Sequence, residues 1–273
     1  MFIGEIGINH NGELYTALQL IQEAKRCGVD VVKFQKRDPD FCVPEHQKNV
    51  KRIWKGEEMT YLEYKKSIEF GKTEYDIINQ FCQKIGIKWT VSVWDVNSVE
   101  FMKQYSYDIP FIKIPSACIT DMELIHAIND WGIPVIISDG MSTEPEVLNA
   151  IYNLDNLLGI LHCNSTYPCA DDELDLNVIT RLKNMYPTLA IGYSGHEIDT
   201  LPTLISVIKG ADIIERHITL DKTMEGTDHK CSLDIAELEE LISQINRIPK
   251  ILGTHYINIY DSEKKIRDKL RKQ

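Results

Sequence analysis

A closed (β/α)8 TIM-type barrel, an α/β fold, is what this sequence predicts, and three observations carry that reading. Eight short apolar runs rich in β-branched residues recur along the 273-residue chain. Each is followed by a longer stretch with helix-like spacing, and each ends in a polar cluster. Alternating strands and helices call for a parallel sheet, and eight such units allow it to close. The clusters are Glu5-Ile6-Gly7, Lys33-Phe34-Gln35, Thr90, Lys113-Ile114-Pro115-Ser116, Ser138, His162-Cys163-Asn164, Ser194-Gly195-His196 and Glu215-Arg216-His217. In a barrel the strand ends and the loops after them form the active face, so these clusters converge on one mouth. The arrangement implies an enzyme.

The elements follow in order. Phe2–Ile8 is the first strand, and a helix runs over Leu14–Cys27. Asp30–Gln35 is the second strand, with Val31, Lys33 and Gln35 on one face by the two-residue alternation. Lys36–Thr60 is expected to be a long loop that serves as a lid or substrate wall, before one or two helices in Tyr61–Ile85. Strands three to six are Ile87–Val93, Ile109–Ile114, Pro134–Ser138 and Leu157–His162, with helices near Val96–Tyr105, Asp121–Trp131 and Glu144–Asn153. Asp121 stands where an N-cap belongs. Strands seven and eight are Leu189–Tyr193 and Ala211–Leu220, and a last barrel helix, Asp234–Arg247, is expected to stop before Pro249. Residues 1–250 form the barrel and 251–273 a helical tail, in which Ile266 and Leu270 lie four apart.

No linker-like or low-complexity stretch divides the chain, which favours a single domain. A net charge of −11 disfavours a nucleic-acid partner, while an anionic substrate needs only a few lysines gathered in a pocket. Seven scattered cysteines without a CxxC pair argue against a disulfide framework or a structural zinc site. No apolar run has membrane-spanning length, so no membrane association and a cytoplasmic location are expected.

Lys33 and Lys113 end strands otherwise suited to burial, and a buried lysine needs a partner. One reading is a salt bridge to Glu5 or Glu215. The other is an anion site in which both ammonium groups, with the hydroxyls of Ser116, Ser138 and Ser194, surround a phosphate or carboxylate. His196 and His217 follow neighbouring strands, so their rings can meet. Two imidazoles with open positions suit a catalytic divalent ion such as manganese, iron, cobalt or zinc. His229 competes as the second ligand. Asp139-Gly140 and Asn11-Gly12 look chiefly like turns, and Asp171-Asp172-Glu173 like a solvated one.

The order of motifs resembles the sialic acid synthase family, which condenses phosphoenolpyruvate with an N-acetylated hexose to make nonulosonic acids. The matching stretches are GEIGINHNG (4–12), VDVVKFQ (29–35), FIKIPS (111–116), SDGM (138–141), LHCNSTYP (161–168), IGYSGHE (191–197) and IERHITLDKTMEGTDHKCSLD (214–234). The resemblance implies that His196 and His217 hold a divalent metal, typically manganese, with magnesium or cobalt as alternatives. It implies that Lys113, Ser116, Ser138 and Ser194, with Thr90 and Ser165, grip phosphoenolpyruvate. Lys33, Gln35, Tyr167 and Asp228 would face the aldose, N-acetylmannosamine or a related amino or deoxy hexose. Glu5 matches an active-site glutamate, and with Lys33 and Lys113 it completes the expected catalytic set.

The implied chemistry is coherent. The metal polarises the aldehyde oxygen, the methylene carbon of phosphoenolpyruvate attacks the aldehyde carbon, water adds at the phosphate-bearing carbon, and phosphate leaves by carbon–oxygen cleavage. Glu5 and the metal are the two candidates for activating that water. The chain departs from the family pattern at Ser194-Gly195-His196, where members usually carry SDH. It departs again at Ser138-Asp139-Gly140-Met141, where STGM is common, and at Cys118, where an acidic residue often contacts the sugar. Many members also append a small antifreeze-like domain that completes a dimer partner's sugar pocket, and the stretch after the last motif is too short for one. A homodimer is expected, with the Lys36–Thr60 loop or a separate lid protein covering the sugar. Two alternatives stay open: a barrel aldolase or lyase using Lys33 or Lys113 as a Schiff base, and an inactive sugar-binding homologue.

Overall fold

The computed structural model describes residues 1–272. Eight parallel strands close into a barrel in sequence order: β1 Phe2–Gly7, β2 Val31–Lys36, β3 Lys88–Val93, β4 Ile112–Ile114, β5 Val135–Ser138, β6 Leu157–Cys163, β7 Ala190–Gly195 and β8 Ile213–His217. The seam between β1 and β8 pairs Glu5 with His217. The surrounding helices are α1 Leu14–Cys27, α2 Lys72–Ile85, α3 Val96–Met102, α4 Met122–Trp131, α5 Glu144–Tyr152, α6 Asn177–Met185, α7 Leu201–Ile208 and α8 Ile235–Leu252. In α1 the buried side chains Ala17, Leu20, Ile21 and Ala24 recur at helical spacing and pack on the sheet. The helix stops at Gly28, whose φ of 92° is left-handed and lets its N–H bond the last carbonyls. Asp95 and Asp121 cap α3 and α4 by accepting from the Ser98 and Leu124 amides, each cap worth about 1 kcal/mol.

The two-residue period of the strands divides the barrel interior into two layers. Ile3, Val31, Phe111, Ile136, Leu161 and Ile213 form an apolar plug of their own. Two residues further along the same strands come Glu5, Lys33, Lys113, Ser138, Cys163 and Glu215, all buried. The plug excludes water beneath this polar layer, and the outward-facing residues between them, such as Val32, Ile112, Ile137 and Ile214, join the large core against the helices.

Two expectations need correction. Lys36–Thr60 is not an unstructured loop: it holds short helices Pro39–Cys42 and Glu45–Lys48 and a hairpin of Lys51–Trp54 with Glu57–Thr60. Trp54 anchors it in a separate small core with Ile8, Tyr64 and Ile68, burial that a loop reading overlooks. The helix from Ile235 passes through Pro249 to Leu252; a proline tolerates helical φ and here forfeits one hydrogen bond near an exposed end. Beyond Gly253 the chain ends in a helix, Asp261–Leu270, whose side chains are all exposed. Among the described residues no helix is long and apolar enough to cross a membrane.

Candidate active site

Alternation along β1, β2, β4 and β8 brings two lysines and two carboxylates together at the floor of the mouth. Lys33 Nζ lies 2.7 Å from Glu5 Oε2 and 3.5 Å from Glu215 Oε1. Lys113 Nζ lies 2.7 Å from the same Glu215 oxygen, which also accepts the Ser194 hydroxyl at 3.3 Å. Gln35 donates its amide to Glu5 at 2.9 Å. Burial opposes charge on Glu215, but Lys113 and Lys33 outweigh it and hold the carboxyl down to about 2. Burial likewise disfavours the Lys33 ammonium, and Glu215 and Glu5 more than restore it, so its pKa rises. The salt-bridge reading of the lysines is therefore realised, and the Lys33 amine is held as a cation.

Above this floor is a cavity of about 150 Å³. Eleven of the thirteen residues singled out from sequence line it: Glu5, Lys33, Gln35, Lys113, Ser116, Ser138, Ser165, Tyr167, Ser194, His196 and His217. The Ser138 hydroxyl is buried there without a hydrogen-bond partner. Ser116 Oγ meets Cys163 Sγ at 3.2 Å, and Gly140 leaves room beside them. A Cβ on Gly140 would lie 2.4 Å from Ser165 Oγ and 2.9 Å from Ser116 Oγ. The structure does not bring in Thr90, which is fully buried with its hydroxyl committed to the Phe111 carbonyl. Asp228 does not line the cavity, and its Oδ2 lies 3.8 Å from His217 Nδ1.

His196 and His217 have ring centroids 5.6 Å apart, and the Tyr167 ring lies 4.0 Å from that of His196. His196 donates from Nδ1 to the Asn164 carbonyl at 2.6 Å, which leaves Nε2 as an acceptor. Burial, reinforced by His217, lowers the His196 pKa to about 3, so the ring stays neutral. Buried Nδ1 of His217 has no hydrogen-bond partner. Two buried imidazoles, one held neutral and one with an orphaned nitrogen, fit a divalent cation. Among the described residues no third His, Cys, Asp or Glu completes a cluster, so further ligands would come from water or substrate oxygens. His229 does not compete: it bonds Thr219 at 2.7 Å and faces Asn11.

Sequence reasoning passed over several parts. Behind the histidines, Arg216 Nη1 bonds Glu197 at 2.8 Å, and Glu197 also accepts from Tyr193 and Thr203. Strand alternation could have found this, since Arg216 must face outward between Glu215 and His217. Asp139 is more than a turn residue, for it accepts the Cys163 amide at 2.8 Å and meets His162 Nδ1 at 3.0 Å. Cys118 is buried, its thiol directed to the Trp94 carbonyl.

Fold and site together define a barrel enzyme with an ion-paired lysine floor, a serine-lined cradle and a histidine pair at one mouth. The NeuB family pattern matches residues 20–256. The chain is 34% identical to N-acetylneuraminate-9-phosphate synthase of Mus musculus over 276 residues, covering 99% of this chain and 76% of that one. It is 32% identical to N,N'-diacetyllegionaminic acid synthase of Legionella pneumophila, covering 99% and 78%. The crystal structure of N-acetylneuraminic acid (sialic acid) synthetase from Leptospira borgpetersenii superposes with a TM-score of 0.84 at 31% identity, covering 100% and 92%. The chain belongs to the NeuB family, and it is an enzyme of the synthase type for which these relatives are named.

Proposed function

We propose that this enzyme condenses phosphoenolpyruvate with an aldose to form a nonulosonic 2-keto acid and inorganic phosphate, and that it uses a divalent cation. One observation carries the reading: the lysine floor, the serine cradle and the histidine pair open into a single cavity. His196 and His217 would hold the cation, manganese foremost and magnesium or cobalt next, and it would supply Lewis-acid polarisation of the aldehyde oxygen.

The remaining work falls to the chain's own groups. Lys113 has donors beyond the one spent on Glu215, and with the unpartnered Ser138 hydroxyl and Ser116, Ser165 and Ser194 it grips the phosphate and carboxylate of phosphoenolpyruvate. The same donors stabilise charge on the departing phosphate. Glu5, fixed by Lys33 and Gln35, orients and deprotonates the water that adds at the phosphate-bearing carbon. Gln35 and Tyr167 meet the aldose, and the apolar plug keeps bulk water from the floor.

The Schiff-base alternative loses support because such chemistry needs a neutral amine, and Lys33 is held charged by two carboxylates. An inactive binding protein would not need so complete a set of buried ionised groups. A homodimer remains part of the proposal, with exposed Tyr256, Ile257, Ile266 and Leu270 of the tail as surface for a second copy. The test is an assay for 2-keto acid and phosphate, formed in equal amounts from phosphoenolpyruvate across a panel of N-acetylated and 6-deoxy hexoses. Acceptor-dependent formation that a chelator abolishes supports the proposal; phosphate release without a new acid contradicts it.

A further inference from the structure

The two segments that build the serine cradle leave the barrel side by side. β5 ends at Ser138 and runs on through Asp139 and Gly140, while β6 ends at Cys163 and runs on to Ser165. Their backbone ladder gives out here: Ser138 pairs with Leu161, and the Asp139 amide donates to the Leu161 carbonyl at 3.1 Å. Beyond that rung the Asp139 carboxylate takes over. Its Oδ1 accepts the Cys163 amide at 2.8 Å, and its Oδ2 lies 3.0 Å from His162 Nδ1.

The two partners of His162 settle its protonation. Nε2 lies 2.9 Å from the Leu174 carbonyl, which can only accept, so Nε2 carries a proton. Nδ1 faces a carboxylate, and a bare nitrogen there would set its lone pair against negative charge. Only the imidazolium satisfies both contacts. Burial opposes that charge, and Asp139, the Leu174 carbonyl and Asp175 outweigh it, so the pKa rises. On the β7 side the ring meets Tyr193, whose hydroxyl is given to Glu197. Protons reach it from a cavity of about 590 Å³ between α5 and α6, with His162, Asp139 and Gly140 in its wall. The other titratable groups there are Glu144 and Arg181, paired with each other, and Glu173, Asp175, Cys163 and Tyr186. Cys163 and Ser165 line both this cavity and the catalytic one, so the ion pair stands directly behind the cradle.

We infer that Asp139 and His162 are positioning residues for phosphoenolpyruvate, their ion pair holding the segment 138–140 against 163–165 at the width the cradle needs. This rests on the condensing reaction proposed above, and adds that affinity for that substrate follows the His162 proton. With the proton on, the pair draws the two segments together; with it off, Nδ1 and Oδ2 repel and the segments part. The device belongs to this chain's SDGM stretch. A threonine in place of Asp139, as in STGM, offers a neutral hydroxyl that pairs equally well with a neutral imidazole.

The experiment measures the dissociation constant of phosphoenolpyruvate, with manganese present, for the full-length wild type and Asp139→Asn by calorimetry from about pH 6 to about pH 9. The substituted side chain can still accept the Cys163 amide and can donate to a neutral imidazole, so it keeps the contacts without the proton. Taking the ratio of variant to wild type cancels the titration of the ligand and of the lysine floor, which both proteins share. That ratio should be about 10 at the acid end, one charge-assisted hydrogen bond being exchanged for a neutral one. It should fall to one or below at the alkaline end. His162→Gln, a second route to a pair without the proton, should give the same profile. In turnover the trend should appear in KM for phosphoenolpyruvate and not in KM for the aldose. A ratio that does not change with pH overturns the inference while the condensing reaction stands, and so does an equal trend in both KM values. If phosphoenolpyruvate binds neither protein at any pH, the condensing reading itself fails.

Discussion

Glu197 and Arg216 meet at 2.8 Å with side chains 2% and 0% exposed, directly behind His196 and His217. Each partner of this ion pair is a chain neighbour of one histidine, so the pair fixes how far apart the two imidazoles stand. Arg216 Nη2 also holds the Glu197 carbonyl at 2.7 Å, which clamps the turn after β7 to β8. A buried ion pair contributes little net stability against an apolar substitute, but losing one partner leaves an uncompensated charge.

Arg216→Met should therefore destabilise the fold by about 3–5 kcal/mol, measured by urea unfolding. Glu197→Gln keeps the size and several hydrogen bonds, so it should cost less stability yet loosen the histidine spacing. Its expected signature is weaker manganese binding, read from the electron-spin signal of free manganese. Unchanged manganese affinity in Glu197→Gln would remove the positioning role.

Acid should unfold the protein in part through Glu215. Its folded pKa lies near 2, below the ordinary carboxylate value, so its contribution is fully present above about pH 4.3 and is lost as pH falls toward the folded value. Lys113→Met removes the closest cation and raises that folded pKa. Its melting temperature should begin to fall at a higher pH than the wild type's. Parallel acid profiles for the two proteins would contradict this account of the floor.

His162 gives the opposite sign. Burial lowers its pKa, but Asp139 at 3.0 Å outweighs burial and the net shift is upward. Its stabilisation is fully present below the unfolded value of about 6.5 and is lost as pH rises through the higher folded value. Wild-type melting temperature should decline over that interval, and Asp139→Asn should abolish the step. A wild-type profile that rises there would reverse the assignment.

Gly140 is needed for want of space, since an added Cβ would meet Ser165, Cys163 and Ser116 within 3 Å. Gly140→Ala should raise KM for phosphoenolpyruvate by about 10- to 100-fold, as loss of one or two well-placed hydrogen bonds implies. KM for the aldose should move much less. Equal effects on both substrates would place the cradle elsewhere.

The barrel was legible because its strands are short, β-branched and separated by helical spacing, and alternation put Lys33, Lys113 and His217 inside without further information. Thr90 was misplaced because its inward direction is readable but its partner is not: only the folded backbone shows the Phe111 carbonyl claiming its hydroxyl. Alternation turns Arg216 outward, but its partner Glu197 lies 19 residues away, and no local pattern names that partner. Lys36–Thr60 hid its structure because four-residue helices and strands carry too few periods to register, and Trp54 finds its core only through Ile8 and Tyr64.

The most direct test of the central claim uses phosphoenolpyruvate labelled with 18O at the bridging oxygen, together with an aldose that turns over and manganese. Attack by the methylene carbon on an aldehyde, followed by water at the phosphate-bearing carbon, breaks the carbon–oxygen bond. Mass spectrometry should then find the label in inorganic phosphate, alongside a new acid three carbons longer than the aldose. Unlabelled phosphate would show phosphorus–oxygen cleavage and contradict condensation at this site.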